Sequence, residues 1–275
     1  MSVQLFTVPR PPLDRFVAGL WLVEGYHTPN ARERLLPTGT VELVVNLGED
    51  RMRIYDGEDV ARTTLLDGAV VCGAHSRSFV IDAEEQQRVV GVHFRPGGAY
   101  PFLGARVDEV ENLHLSLEDL WGARARALRE RLGAEADPRA RLRLLESALL
   151  ERAFRPLEQH PAVARSLAML HGAPRLPTVA EITREIGLSA RRVAQLFREQ
   201  VGLTPKRYCR VVRFQRVIEA VRPLAEVRWA EAAIDCGYSD QAHLARDFRE
   251  LSGLTPTEYL RQRTDHLNHV PLPPS

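Results

Sequence analysis

The chain has 275 residues, 44% hydrophobic and 27% charged, with a formal net charge of +1. That length favours two modules with separate cores, and no uncharged apolar run approaches the ~18 residues that a membrane span needs. Residues 1–10 lack a basic region followed by an apolar one, so no secretory leader is expected and the cytoplasm is the default location.

The three cysteines, Cys72, Cys209 and Cys236, are far apart and form no C-x-x-C pair. Neither a disulfide framework nor a structural zinc site is supported, and small buried hydrophobes are expected. Charge is unevenly placed. Thr178 to Arg263 carries 15 Lys+Arg against 11 Asp+Glu, which leaves the rest of the chain at −3, and Lys206 is the one lysine in that stretch. A local excess of arginine suits phosphate and base contacts.

Residues 1–115 read as β-rich. Short Val, Ile, Leu and Phe runs at Val41–Leu47, Ala69–Cys72, Ser78–Ile81 and Arg88–Phe94 are separated by Gly, Pro, Asn and Asp, and Pro96-Gly97-Gly98 stops the last run. In residues 116–160 the period becomes helical. One helix is expected from Ser116 through SLEDLWGARARALRERL, and Pro138 opens another whose Leu142, Leu145 and Leu149 fall on one face. That stripe either packs on its own domain or pairs two chains, and a homodimer through the N-terminal half is expected from it. Prolines at 156, 161, 174 and 177 bracket a short helix, Ala162–Leu170, and a boundary. Residues 161–265 are all helical, and 266–275 read as a frayed tail.

The strongest signal is an internal repeat. Gly202-Leu203-Thr204-Pro205 with Tyr208 returns as Gly253-Leu254-Thr255-Pro256 with Tyr259, and Phe197-Arg198 returns as Phe248-Arg249, all at an offset of 51. Gly187-Leu188-Ser189 matches Gly237-Tyr238-Ser239 at an offset of 50. Each unit reads as helix, tight turn, helix. In the first, Thr178-x-x-Glu181 is a capping box, Val179, Ile182 and Ile186 make an apolar stripe, Gly187 ends the helix, and Ser189 caps the next. That arrangement places a second helix in a DNA major groove. Between the copies, Thr204 caps and Pro205 starts a helix of about 18 residues, roughly 27 Å long. This is close to the ~34 Å between successive major grooves.

Helix geometry assigns roles. Arg191 and Gln195, opposite Val193 and Phe197, are expected to read base edges, with Arg192 and Arg198 towards phosphates. In the second unit Gln241, His243 and Arg246 are the base-reading candidates, and Asp240 is expected to serve as a helix-start residue favoured by the dipole. Lys206 and Arg249 complete the phosphate set. The expected partner is therefore double-stranded DNA.

The C-terminal hundred residues resemble the DNA-binding domain of the AraC/XylS family of bacterial transcription regulators, most closely in GYSDQAHLARDFRELSGLTPTEYL. The resemblance implies a cytoplasmic regulator, such as an activator, with seven helices and two helix-turn-helix units. It also implies RNA polymerase as a partner. Thr183 departs from the family by replacing alanine, and its hydroxyl is expected to bond the preceding turn. Leu36–Val44 and Gly91–Ala99 resemble an uncharacterised N-terminal domain on one subgroup of these regulators, continued by Phe102-Leu103-Gly104 and Leu120-Trp121-Gly122. The resemblance implies a domain, cupin-like in its β-barrel, that senses a small-molecule effector or mediates dimerisation. The expected fold class is therefore α+β: a β-rich N-terminal domain followed by an all-α double helix-turn-helix.

Arg95 with Gly97 and Gly98 is the candidate ligand contact, with a strand-ending turn as its plainer role. The rival is a cupin-like metal enzyme fused to a DNA-binding module. His75 and His93 are isolated, however, and His93 would draw on His27 or Glu42 without supporting spacing, so no metal or cofactor is expected. No Ser/His/Asp or Cys/His arrangement or phosphate loop emerges, so no catalytic residue is assigned. A DNA-repair role for Cys72 in VVCGAH lacks its activating base.

Overall fold

The computed structural model describes residues 3–25, 31–172 and 175–272. His27 and Pro174, both weighed above, lie outside them. In the β-rich region the strands are β1 (Val3–Thr7), β2 (Val17–Glu24), β3 (Arg32–Leu35), β4 (Glu42–Asn46), β5 (Arg51–Asp56), β6 (Thr63–Asp67), β7 (Ala69–Cys72), β8 (Phe79–Asp82), β9 (Arg88–Phe94) and β10 (His114–Ser116). One last strand, β11 (His269–Pro271), comes from the far end of the chain. The strands form two antiparallel sheets, ordered β1-β2-β9-β4-β7-β10 and β11-β3-β8-β5-β6.

Strand alternation explains how the sheets meet. One face of the larger sheet carries Leu43, Val45, Val71, Val90, Val92, Leu20 and Leu22 into the main core. The opposite face carries Val44, Val70 and Val89, which pack with Met52 and Leu66 of the smaller sheet.

The helices are α1 (Tyr100–Leu103), α2 (Leu117–Trp121), α3 (Ala123–Ala134), α4 (Pro138–Glu151), α5 (Pro161–Gly172), α6 (Val179–Ile186), α7 (Ala190–Val201), α8 (Pro205–Val221), α9 (Trp229–Asp235), α10 (Gln241–Ser252) and α11 (Pro256–Gln262). The single helix expected after Ser116 is two. Gly122 takes φ 61°, a left-handed value that breaks the run into α2 and α3. No helix among the described residues is long and apolar enough to cross a membrane.

Two expectations change. Leu142, Leu145 and Leu149 are 5%, 0% and 0% exposed because α4 packs on β2 and α3, so the stripe closes the chain's own core and is not the surface of a paired helix. The end of the chain is not frayed through residue 272. Here β11 adds to the edge of β3 with His269 opposite Leu35 and Pro271 opposite Glu33, and Val270 is fully buried. Three residues carry too little periodicity to announce a strand, and the partner lies more than 230 positions away.

A buried cation anchors α4. Arg141 is 2% exposed, and its guanidinium donates to the carbonyls of Leu132 and Glu135 and to the carboxylate of Glu24 on β2. Burial by itself would raise the pKa of Glu24, but its bonds to Arg88 and Arg141 bring it below the usual range. Arg141→Ala should lower the unfolding free energy by about 3 kcal/mol, since it takes this donor from two carbonyls and leaves Glu24 with Arg88 alone. Arg143→Ala, at an exposed position of the same helix, should change it by less than about 0.5 kcal/mol. Urea titrations of the two variants, compared at equal m-value, provide the check.

Candidate nucleic-acid interface

The repeat seen in the sequence is a repeat in space. In the first unit Phe197 of α7 packs on Tyr208 of α8, ring centres 5.4 Å apart; in the second, Phe248 of α10 packs on Tyr259 of α11 at 5.5 Å. These are the residues related by the offset of 51. The same aromatic wedge thus joins each second helix to the helix that follows it.

Capping fixes where each helix begins. The capping box between Thr178 and Glu181 is complete, and Gly187 ends α6 at φ 73°. Ser189 accepts from the amide of Arg192, Thr204 from that of Arg207, and Asp240 from that of His243. Asp240 is thus a helix-start residue; its bonds to the amide of His243 and the hydroxyl of Ser239 hold its pKa down. A second capping box, Thr255 with Glu258, starts α11. The Thr183 hydroxyl donates to the carbonyl of Ala180, so the departure from alanine is absorbed within the helix.

These helices bury one side and leave the other open. On α7, Val193, Leu196, Phe197 and Val201 are buried, while Arg191, Arg192, Gln195 and Arg198 are exposed, with Arg192 donating to Gln195. On α10, Gln241, Arg246 and Arg249 are exposed. His243 differs from its expected outward position. It is half-buried, its ring lies 5.1 Å from that of Tyr238, and its Nδ1 lies 3.1 Å from the Ser239 hydroxyl. Lys206, on the first turn of α8, is exposed, and its neighbour Arg207 is ion-paired with Glu111.

The spacer is α8, 17 residues long, or about 26 Å. Spacing alone did not reveal how it is clamped. Arg210 donates to Asp247 and Glu250 of α10 through four contacts of 2.6–3.1 Å, and this bonding keeps the pKa of Glu250 below its ordinary value. An arginine 37 positions from its partner has no signature in a one-dimensional pattern.

The helical half is seated on the β-rich half. Tyr100 donates to Glu199 of α7, Gln159 to the carbonyl of Pro96, Gln215 of α8 to the carbonyl of Pro37, and the Ser78 amide to the carbonyl of Leu251. Gly202 sits in this seam with φ 95°, and a Cβ there would lie 2.9 Å from a Val107 methyl. Backbone conformation and space both demand glycine.

The same seam occupies the turn proposed to hold a ligand. Any Cβ at Gly97 would meet the Gln159 amide, one at Gly98 would meet the carbonyl of Phe16, and Arg95 donates to the carbonyl of Asp14. Among the described residues no three His, Cys, Asp or Glu side chains lie close enough to hold a metal.

Asp247 of α10 is 6% exposed, so removing its guanidinium partner leaves a carboxylate in poor surroundings. Arg210→Ala should cost about 2 kcal/mol and loosen α10 before α7. Hydrogen exchange measured peptide by peptide should show the loss of protection concentrated in Gln241–Ser252.

A helix-turn-helix domain model matches residues 182–262, and a model described as a domain of unknown function (DUF6597) matches residues 6–116. The probable transcriptional regulator LumQ of Photobacterium leiognathi is 34% identical over 86 residues, 30% of this chain and 33% of that protein. The HTH-type transcriptional activator RhaR of Mannheimia succiniciproducens is 32% identical over 81 residues, 30% of this chain and 29% of that one. This chain thus spans about a third of the length of these curated relatives. The crystal structure of ToxT from Vibrio cholerae aligns over 84% of this chain and 96% of its own, with 12% identity and a TM-score of 0.48.

Proposed function

We propose that this chain is a sequence-specific transcription regulator of the AraC type, in which residues 182–262, matched by a helix-turn-helix domain model, supply two helix-turn-helix units. The observation that carries the reading is the paired set of open helix faces, Arg191 and Gln195 on α7 and Gln241 and Arg246 on α10, held apart by the clamped α8. Side chains on a helix face that packs on nothing are available to base edges in a major groove, and a spacer of about 26 Å suits neighbouring turns of one duplex.

In this reading Arg191, Gln195, Gln241 and Arg246 read bases. His243 contributes from the edge of its helix, and Arg192, Arg198, Lys206 and Arg249 hold phosphates. The β-rich half senses a small-molecule effector and passes the signal through the seam beneath α7 and α8, with RNA polymerase as the downstream partner. Two reading heads in one chain engage DNA without a second copy. A homodimer would need a surface other than the buried leucines of α4.

Nuclease footprinting of random duplex pools should enrich one bipartite sequence. Failure to enrich any sequence overturns the proposal. Arg191→Ala or Arg246→Ala should each cost about 1 to 3 kcal/mol and relax preference at one base pair. Arg198→Ala should weaken specific and random duplexes alike and reduce the slope of affinity against salt by about one ion. Equal loss on both kinds of duplex for Arg191→Ala would remove it from the readers.

A further inference from the structure

The second helices of the two units, α7 and α10, end on the same short stretch of the β-rich half, residues 73–78, which joins β7 to β8. Ala74 meets the first unit: a Cβ at Gly202, where α7 ends, would lie 3.0 Å from that of Ala74. Ser78 meets the second. Its amide donates to the carbonyl of Leu251 at 2.8 Å and its hydroxyl to that of Ser252 at 3.1 Å, across 174 positions of sequence. The last carbonyls of a helix have no partner within it, so Ser78 closes the end of α10 from the opposite half of the chain.

Arg34 of β3 reinforces that closure. Its Nη1 donates to the Ser78 hydroxyl at 3.0 Å and to the carbonyl of Gly57 at 2.6 Å. A Cβ at Gly253, the residue that caps α10, would lie 2.8 Å from the same nitrogen. Among the described residues no carboxylate pairs with Arg34, and burial alone lowers its pKa. Its counter-charge is the helix end itself, where aligned peptide dipoles leave about half a negative charge.

The stretch that carries Ala74 and Ser78 is braced along its length. The Gly73 amide donates to the carbonyl of Leu113, the Asn112 amide to the carbonyl of Ala74, and the Ser76 amide to the side-chain oxygen of Asn112. Asn112 takes φ 53°, in the left-handed region that asparagine tolerates. Val107, five residues earlier, presses on Gly202 beside Ala74. A backbone bonded at this many points gives little when the helices pull on it.

We propose that residues 73–78 act as a jig, in which Ser78 and Arg34 position the second reading head against the first and so determine which spacing of half-sites in one duplex the protein accepts. The inference rests on the regulator reading above and deepens it, because it names residues outside the helical half that set DNA specificity. Ala74 and Ser78 are four residues apart, so the points on which α7 and α10 rest are held within about 14 Å. From there each helix, 12 residues long, runs about 18 Å to the end where Arg191 and Gln241 stand. A tilt of about 10° moves that far end by about 3 Å, close to the ~3.4 Å rise of one base pair. The α8 spacer sets the distance between the heads, and the jig removes the tilt that a single spacer leaves. Spacing discrimination is therefore lost before affinity.

The test uses the full chain and the duplex selected from random pools, resynthesised with one or two base pairs added or removed between its half-sites. The unaltered protein should prefer the selected spacing to a one-base-pair change by at least about tenfold. Ser78→Ala and Arg34→Gln should each reduce that preference about fivefold, the equivalent of one net hydrogen bond, while affinity for the selected spacing falls by less than about threefold. Arg34→Lys keeps a cation and a single donor nitrogen and should retain the preference. Arg141→Ala lowers stability away from this seam and should retain it too, which separates positioning from loss of fold. If Arg34→Gln does not fold, Ser78→Ala decides. No spacing preference in the unaltered protein, a preference unchanged in Ser78→Ala, or an equal loss in Arg141→Ala overturns the jig and leaves the regulator reading standing. Failure of the unaltered protein to select any duplex removes both.

Discussion

Burial of α8 on more than one side is the constraint from which the rest of the helical half follows. An ordinary surface helix hides one stripe, but α8 hides Tyr208, Cys209, Val211, Val212, Phe214, Val217, Ile218 and Val221, which span most of its circumference. Tyr208 meets Phe197 of the first unit, Phe214 meets Phe248 of the second, and Tyr208 and Val211 press on Gly39 of the β-rich half. A helix gripped from three directions cannot roll, and the two reading faces inherit its rigidity. Arg210 adds orientation, because four directional bonds to α10 resist a twist that apolar packing alone would tolerate.

The electrostatics match this mechanical picture. The cations proposed to meet DNA lie on exposed faces of α7 and α10 and on the first turn of α8. Arg207, Arg210 and Arg141, by contrast, are engaged with carboxylates inside the chain. A count of basic residues does not separate the two groups. The structural arginines hold elements in register, so the local excess of +4 does not by itself locate the free positive charge.

What was legible in the sequence was local. The caps at Thr178, Ser189, Thr204 and Asp240 depend on residues three or four apart, and the repeat carries its own internal control, so the helical half could be laid out from pattern alone. Strand β9 was readable because seven residues of alternating and apolar character end at a proline turn. The strands β1, β3, β6 and β11 are short or polar and carry little sequence signal. The grouping of Glu42, Cys72, His93 and His114 depends on sheet register, which no spacing along the chain encodes. Along the chain His93 and Glu42 are isolated from one another, whereas the fold pairs them at 3.0 Å.

The pairing of β11 with β3 has a consequence for the order of events when the chain is made. Residue 33 leaves the ribosome long before residue 270, so the smaller sheet must wait through the synthesis of more than 230 further residues with one edge open. The first half cannot reach its final hydrogen-bonded state until the last half has been delivered and docked. An affinity tag or fusion attached close behind Pro271 bears on the edge of a sheet in the opposite domain, and a fragment ending before His269 leaves that edge exposed to other chains.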